Sequence, residues 1–299
     1  MATLVGREPH TELTAARSVG RLKHPAAAFF ALTLTITYGL GLPVAAASHG
    51  LLPIRIPAAV GALAIAGPAI AALVLTGFEH GRLGVQRLLS RLLHWRVGAQ
   101  WYLVALLTPP IIAISALGTY RFLAGVPPRI PAPLPRELAQ IGAESPVTYA
   151  LLAVFFVWGS LAEELGWRGY ALPRLLGTYS ALTASVIIGV VWAVWHLPLF
   201  LMNASAQASI PFGWYLLYAL SLSVLFTWLY NNTGGSLLLA TLFHAVIQAS
   251  TVLLPMLPAS AGDTRPYVLS ALLTMLAALL VVLISGPAAL SRKRRRIGS

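Results

Sequence analysis

Eight apolar runs, each about 20 residues long and divided by short polar or proline-rich stretches, leave this chain few folds to choose from. They lie at about 26–48, 57–78, 99–120, 147–170, 180–202, 213–231, 235–256 and 267–289. A helix of that length spans the hydrocarbon core of a bilayer, and none of the runs alternates in the manner of a membrane β-strand. Backbone in lipid must satisfy its hydrogen bonds within the segment, so the expected fold class is all-α: a polytopic membrane protein of about eight transmembrane helices. Charged residues make up 9% of the chain, against about 25% in a soluble domain. We expect one transmembrane helical domain, 26–290, with a basic tail at 1–25 and another at 291–299.

The net charge of +12 raises the question of nucleic acid, but the placement of the charges answers it. With a cytoplasmic N-terminus, fifteen of the twenty Lys and Arg fall on the inner side and five on the outer. That asymmetry is the positive-inside pattern, and an even number of spans returns both basic tails to one face. The expected location is the cytoplasmic (plasma) membrane, with both termini in the cytoplasm, the lipid bilayer as surroundings and no nucleic-acid partner. Ala45-Ala46-Ala47 resembles a signal-cleavage site, but the run before it is longer than a signal peptide's apolar region, so a retained span is expected. Cysteine is absent, which removes disulfides, thiolate metal sites and a cysteine nucleophile.

Between the second and third runs, Leu83 to Val97 interleaves leucines and Trp95 with Arg82, Arg87, Arg91 and Arg96. The pattern predicts a short amphipathic helix on the inner surface, arginines toward headgroups. The stretch 121–146 holds six prolines and reads as an extended outer loop.

Against this background the adjacent acids Glu163 and Glu164 stand out, because Tyr149 to Ala162 before them carries no charge. A charge at the centre of a membrane helix costs roughly 2.5–3.5 kcal/mol on insertion scales, so its placement there marks a functional site. Glu164 and Arg168 are four residues apart with the acid first, the favourable order for an ion pair on one helix face. Glu163 projects about 100° away and is the spare carboxylate, a candidate general base if a histidine approaches it.

Two histidines lie inside the runs: His196, with Trp192 one turn before it, and His244, with Gln248 one turn after it. Ser185, Gly189 and Ala193 form a small-residue stripe suited to close helix packing. With the boundaries above, Glu163 falls in the inner half of its span and His196 in the outer half of the next. They meet if the fourth span continues toward Arg174 and the fifth starts near Ser185, and those are the expected boundaries. One Glu and two His also make the ligand set of a hydrolytic zinc centre, although no HExxH is present and the histidines lie on different helices.

The ordered set Glu163-Glu164-x-x-x-Arg168, Trp192-x-x-x-His196 and His244-x-x-x-Gln248 resembles the three motifs of the CPBP family. These are intramembrane glutamic endopeptidases related to type II CAAX prenyl proteases and to bacteriocin-immunity proteins. The stretches Leu92 to Val97 and Trp195 to Leu199 resemble it as well, and the resemblance covers about 80–250. It implies that Glu163 and His196 activate a water, that Glu164, Arg168 and Trp192 support the site, and that His244 and Gln248 bind the oxyanion. It implies no cofactor, a membrane-associated peptide or protein substrate, and a cavity open to the cytoplasm. The family usually carries Asn where this chain has Gln248. The alternatives are the zinc-dependent version of the site and a non-catalytic immunity or scaffold protein of the same fold.

Overall fold

Lipid-crossing backbone closes its hydrogen bonds within each segment, and the computed structural model of this chain holds helices and turns, with no strand among its described residues. Those are residue 20 and residues 22–54, 56–125, 146–203 and 205–291. The first tail up to 19, most of the proline-rich stretch and the final basic run lie outside them.

The order is α1 (Pro25–Ser48), α2 (Ala58–Ile65), α3 (Gly67–Ser90), a 3₁₀ turn (Arg91–Leu93) and α4 (Ala99–Ala124). It continues with α5 (Pro146–Gly166), a π-helical turn (Trp167–Ala171), α6 (Leu172–Leu176), α7 (Ala181–Trp195) and α8 (Leu197–Phe200). After a 3₁₀ turn at Gln207–Ser209 come α9 (Phe212–Asn232), α10 (Leu237–Leu253), α11 (Pro258–Ala261) and α12 (Arg265–Ser285). Local chemistry sets several starts. Pro25 opens α1, where the missing N–H costs nothing, and Ser180 and Ser236 cap α7 and α10 by accepting from Thr183 N and Leu239 N.

All eight apolar runs are helical, but a count of eight full spans is not reached among the described residues. Among the described residues five helices are long and apolar enough to cross a membrane, or six if the bent pair α2–α3 is one span. Of the other two, α10 has 17 residues and α5 brings two carboxylates into its last turn. The second run, expected unbroken over 57–78, divides between Ile65 and Gly67. The outer faces of α4, α5 and α12 expose Leu103, Ile111, Val154 and Leu283, a surface suited to acyl chains.

The amphipathic segment begins where Gly81 breaks the helical path of α3 with φ of 61°, and Leu83, Leu93 and Trp95 are exposed as expected. Arg91 departs from expectation. It turns inward to donate to the carbonyls of Gly169 (3.0 Å) and Gly235 (3.1 Å) and to the Tyr230 hydroxyl, because turn carbonyls buried at a helix junction need donors.

The chain alternates between two ends. One, the tail end, gathers Lys23 and Arg174 around one cavity, joins Asn232 Nδ2 to Leu290 O (2.9 Å), and joins Ser236 Oγ to His94 O (2.7 Å). The far end joins Asn203 Nδ2 to Ser48 O (2.9 Å) and the Tyr120 hydroxyl to Asp263 Oδ2 (3.0 Å).

Close packing holds the site's helices together. Phe29 stacks on Tyr170 (5.3 Å) and meets Trp167 edge-on (5.5 Å), fastening α1 to the π-helical turn. The small-residue stripe does pack: a Cβ on Gly189 would lie 2.9 Å from Leu220 Cα of α9. At Gly166 a Cβ would lie 2.5 Å from Pro68 Cβ and 2.8 Å from its carbonyl oxygen, so α3 and α5 touch backbone to backbone. Gly166→Ala is therefore expected to destabilise by about 1–3 kcal/mol through overpacking. Thermal unfolding in detergent reads it, and an unchanged midpoint would contradict the contact.

Candidate active site

The fourth apolar run does continue past its carboxylates: α5 passes through the π-helical turn into α6 and ends at Leu176. Extra residues in a π turn shift the register of side chains, and such turns recur at functional sites. The fifth run starts at Ala181 rather than near Ser185, because the Ser180 cap fixes its first turn.

This register buries Glu163, Glu164 and Arg168 together, Glu164 and Arg168 with no exposure. Arg168 Nη1 donates to Glu164 Oε1 at 2.9 Å. Its guanidinium also lies 3.9 Å from the centre of the Phe226 ring and 5.2 Å from that of Trp192. Glu164 Oε1 accepts a second bond, from His244 Nδ1 at 2.8 Å. Glu164 thus links two helices: it neutralises Arg168 and fixes the ring of His244 on α10.

Glu163 points elsewhere. Its Oε2 accepts from the Trp192 indole N–H at 2.6 Å, and its Oε1 lies 3.9 Å from His244 Nε2. Trp192 also serves His196, whose Nδ1–H donates to the Trp192 carbonyl at 2.8 Å. A carbonyl can only accept, so His196 carries its proton on Nδ1 and, when neutral, offers a lone pair at Nε2. Trp195 (4.5 Å between ring centres), Tyr215 (5.2 Å) and Trp192 (5.8 Å) surround the ring.

Gln248 does not extend freely. Its Nε2 lies 3.1 Å from His244 Nε2, so the amide folds back along its own helix to the ring one turn before it. With a neutral His244 the amide N–H donates to the ring. With an imidazolium the amide would turn its oxygen to the ring and its NH₂ outward.

Glu163, Trp192, His196, His244 and Gln248 line one cavity of about 260 Å³. Its remaining walls are mainly apolar, including Phe156, Leu222 and Ile247, and Ala206, Gln207 and Leu257 also line it. All four residues assigned from sequence to chemistry share this cavity, and Glu164 and Arg168 lie behind it. Sequence reasoning missed Phe226, which faces Arg168, and Tyr215, which flanks His196. Both are ordinary aromatics in an aromatic-rich span, with no signal of their own. Among the described residues, no group of three His, Asp or Glu is placed to hold a metal ion.

A match to a family model falls on this same region. Residues 145–250 match the family model described as type II CAAX prenyl endopeptidase Rce1-like. The chain is also 39% identical over 98 residues to CAAX prenyl protease 2 of Methanococcus maripaludis. That similarity covers 31% of this chain and 36% of the relative's length. The segment matched by the family model holds both carboxylates, Arg168, both site histidines and Gln248, so the similarity to Rce1-like type II CAAX prenyl endopeptidases falls on the candidate site itself.

Proposed function

We propose that this chain is an intramembrane endopeptidase that hydrolyses a peptide bond of a membrane-associated peptide or protein. The observation that carries the reading is the convergence of Glu163, His196 and His244, from three helices, on one buried and mostly apolar cavity. The family-model match over the site and the relative's name support it.

In this reading Glu163 Oε1, the oxygen not held by Trp192, takes a proton from a water that His196 Nε2 also holds. The resulting hydroxide attacks the carbonyl carbon of the peptide bond. With His244 as the imidazolium, its Nε2–H and the outward-turned Gln248 NH₂ meet the charge that develops on the carbonyl oxygen. Glu163 then returns its proton to the departing nitrogen as the C–N bond breaks. Glu164, Arg168 and Trp192 hold the acting groups in place, and no cofactor takes part.

Cleavage of a membrane-anchored peptide by the purified protein in liposomes tests the reading. Wild-type cleavage is expected to survive a chelator, and His196→Ala to lower kcat by about 10²-fold or more. Undiminished cleavage in His196→Ala defeats the assignment, and loss on chelation with stoichiometric zinc favours the metal-dependent version. The bond between Gln248 and His244 favours one further reading, a binding protein of the same fold, since it engages the donor that the oxyanion requires. Peptide binding without cleavage would establish it.

A further inference from the structure

A second cavity, of about 370 Å³, lies apart from the candidate active site at the tail end. It sits where apolar runs begin and end. Lys23 and His24 stand just before α1, Arg174 and Thr178 at and just after the end of α6, and Ile187 on α7. Helix ends of this kind meet the depth of lipid headgroups. Lysine, arginine and histidine line the cavity, and no carboxylate among the described residues does.

Arg174 is held in place before any ligand arrives. Its Nη2 donates to Glu79 Oε2 of α3, its Nη1 donates to the Tyr170 carbonyl at 3.0 Å, and its guanidinium lies 3.3 Å from the centre of the Tyr170 ring. Glu79 is itself held by the Tyr170 hydroxyl at 2.9 Å. A guanidinium ordered in this way has N–H donors left over and has already lost the side-chain freedom that binding would cost. Glu79 balances its charge, so the excess positive charge of the cavity rests on Lys23, which pairs with no acid among the described residues.

We infer that this cavity binds the phosphate of an anionic lipid, with Lys23 and Arg174 as donors. A lipid rather than a free phosphate fits the walls. Phe30 and Ile187 line the cavity beside the cations, and Val190, one turn along the same face of α7, is exposed. Apolar surface for an acyl chain therefore adjoins the charged end. Basic pockets between membrane helices take phosphorylated headgroups through this pairing of charge and apolar wall. The site is separate from Glu163 and His244, so the inference stands whether or not the chain hydrolyses a peptide bond.

Apparent affinity is read from the shift of the thermal midpoint as each probe is titrated into the purified full chain in detergent. The probes are dioleoylphosphatidylglycerol, dioleoylphosphatidylcholine and inorganic phosphate. Phosphatidylglycerol is expected to bind about tenfold more tightly than phosphatidylcholine, and Lys23→Glu to remove most of that preference. Lys23 is exposed, so the lipid-free midpoint is expected to stay at the wild-type value. Arg96→Glu makes the same change of charge at an exposed position outside the cavity and is expected to keep the preference. Ala27→Trp fills the cavity from the first turn of α1 and is expected to weaken phosphatidylglycerol binding as Lys23→Glu does. Undiminished preference in either Lys23→Glu or Ala27→Trp overturns the site. Equal binding of the two lipids, or an equal loss in Lys23→Glu and Arg96→Glu, would mean attraction to net charge alone and overturns it too. Displacement of phosphatidylglycerol by millimolar phosphate would assign the cavity to a soluble anion and overturn the lipid reading.

Discussion

Glu163→Gln is expected to lower kcat for peptide cleavage by about 10²–10⁴-fold while leaving the thermal midpoint close to wild type. The substitution keeps the volume and the oxygen that accepts the Trp192 indole N–H at 2.6 Å, so packing around α5 and α7 is preserved. What it removes is the ability to take a proton from water. Glu164→Gln makes the informative contrast. That side chain bonds Arg168 and His244, so its loss is expected to lower stability as well as rate. Measured side by side on one anchored peptide, the two variants separate chemistry from support. Cleavage within tenfold of wild type in Glu163→Gln would remove Glu163 as the base. A cellular phenotype that persists in Glu163→Gln after cleavage is lost would point to the binding-protein reading.

Much of this site is written in local spacing. Glu164 and Arg168 lie one helical turn apart, and the pairing follows from helix geometry alone. The continuation of the fourth run through Leu172 to Leu176 could be inferred because those residues are apolar enough to extend a helix. Tertiary partners were a different matter. Nothing near Glu164 announces that a histidine 80 residues away shares its oxygen, since that contact depends on the relative register of α5 and α10. Arg91 reads from the sequence as a headgroup contact, because periodicity cannot tell a lipid-facing arginine from one that caps buried carbonyls. The resemblance assigns Gln248 to the oxyanion, yet its amide returns to His244 on its own helix.

Arg168→Met is expected to cost about 3–5 kcal/mol, the range for breaking a buried ion pair by removing one partner. The guanidinium and the carboxylate are fully buried, so solvent does not screen the change. Met preserves much of the apolar stem against Phe226 and Trp192 but leaves Glu164 with His244 as its remaining side-chain partner. The double variant Arg168→Met/Glu164→Gln isolates the electrostatic part, because a neutral amide oxygen still accepts from His244 Nδ1–H and no unpaired charge remains. It is expected to recover much of the lost stability without restoring the wild-type rate, since His244 then lacks the carboxylate that orients it. Denaturation of both variants in detergent, with cleavage assayed on the same preparations, provides the comparison. A double variant no more stable than Arg168→Met would mean that the arginine acts through its packing against the two rings rather than its charge. Recovery of both stability and rate would show that the buried pair serves neither purpose, and that Glu163, His196 and His244 hold their geometry without it.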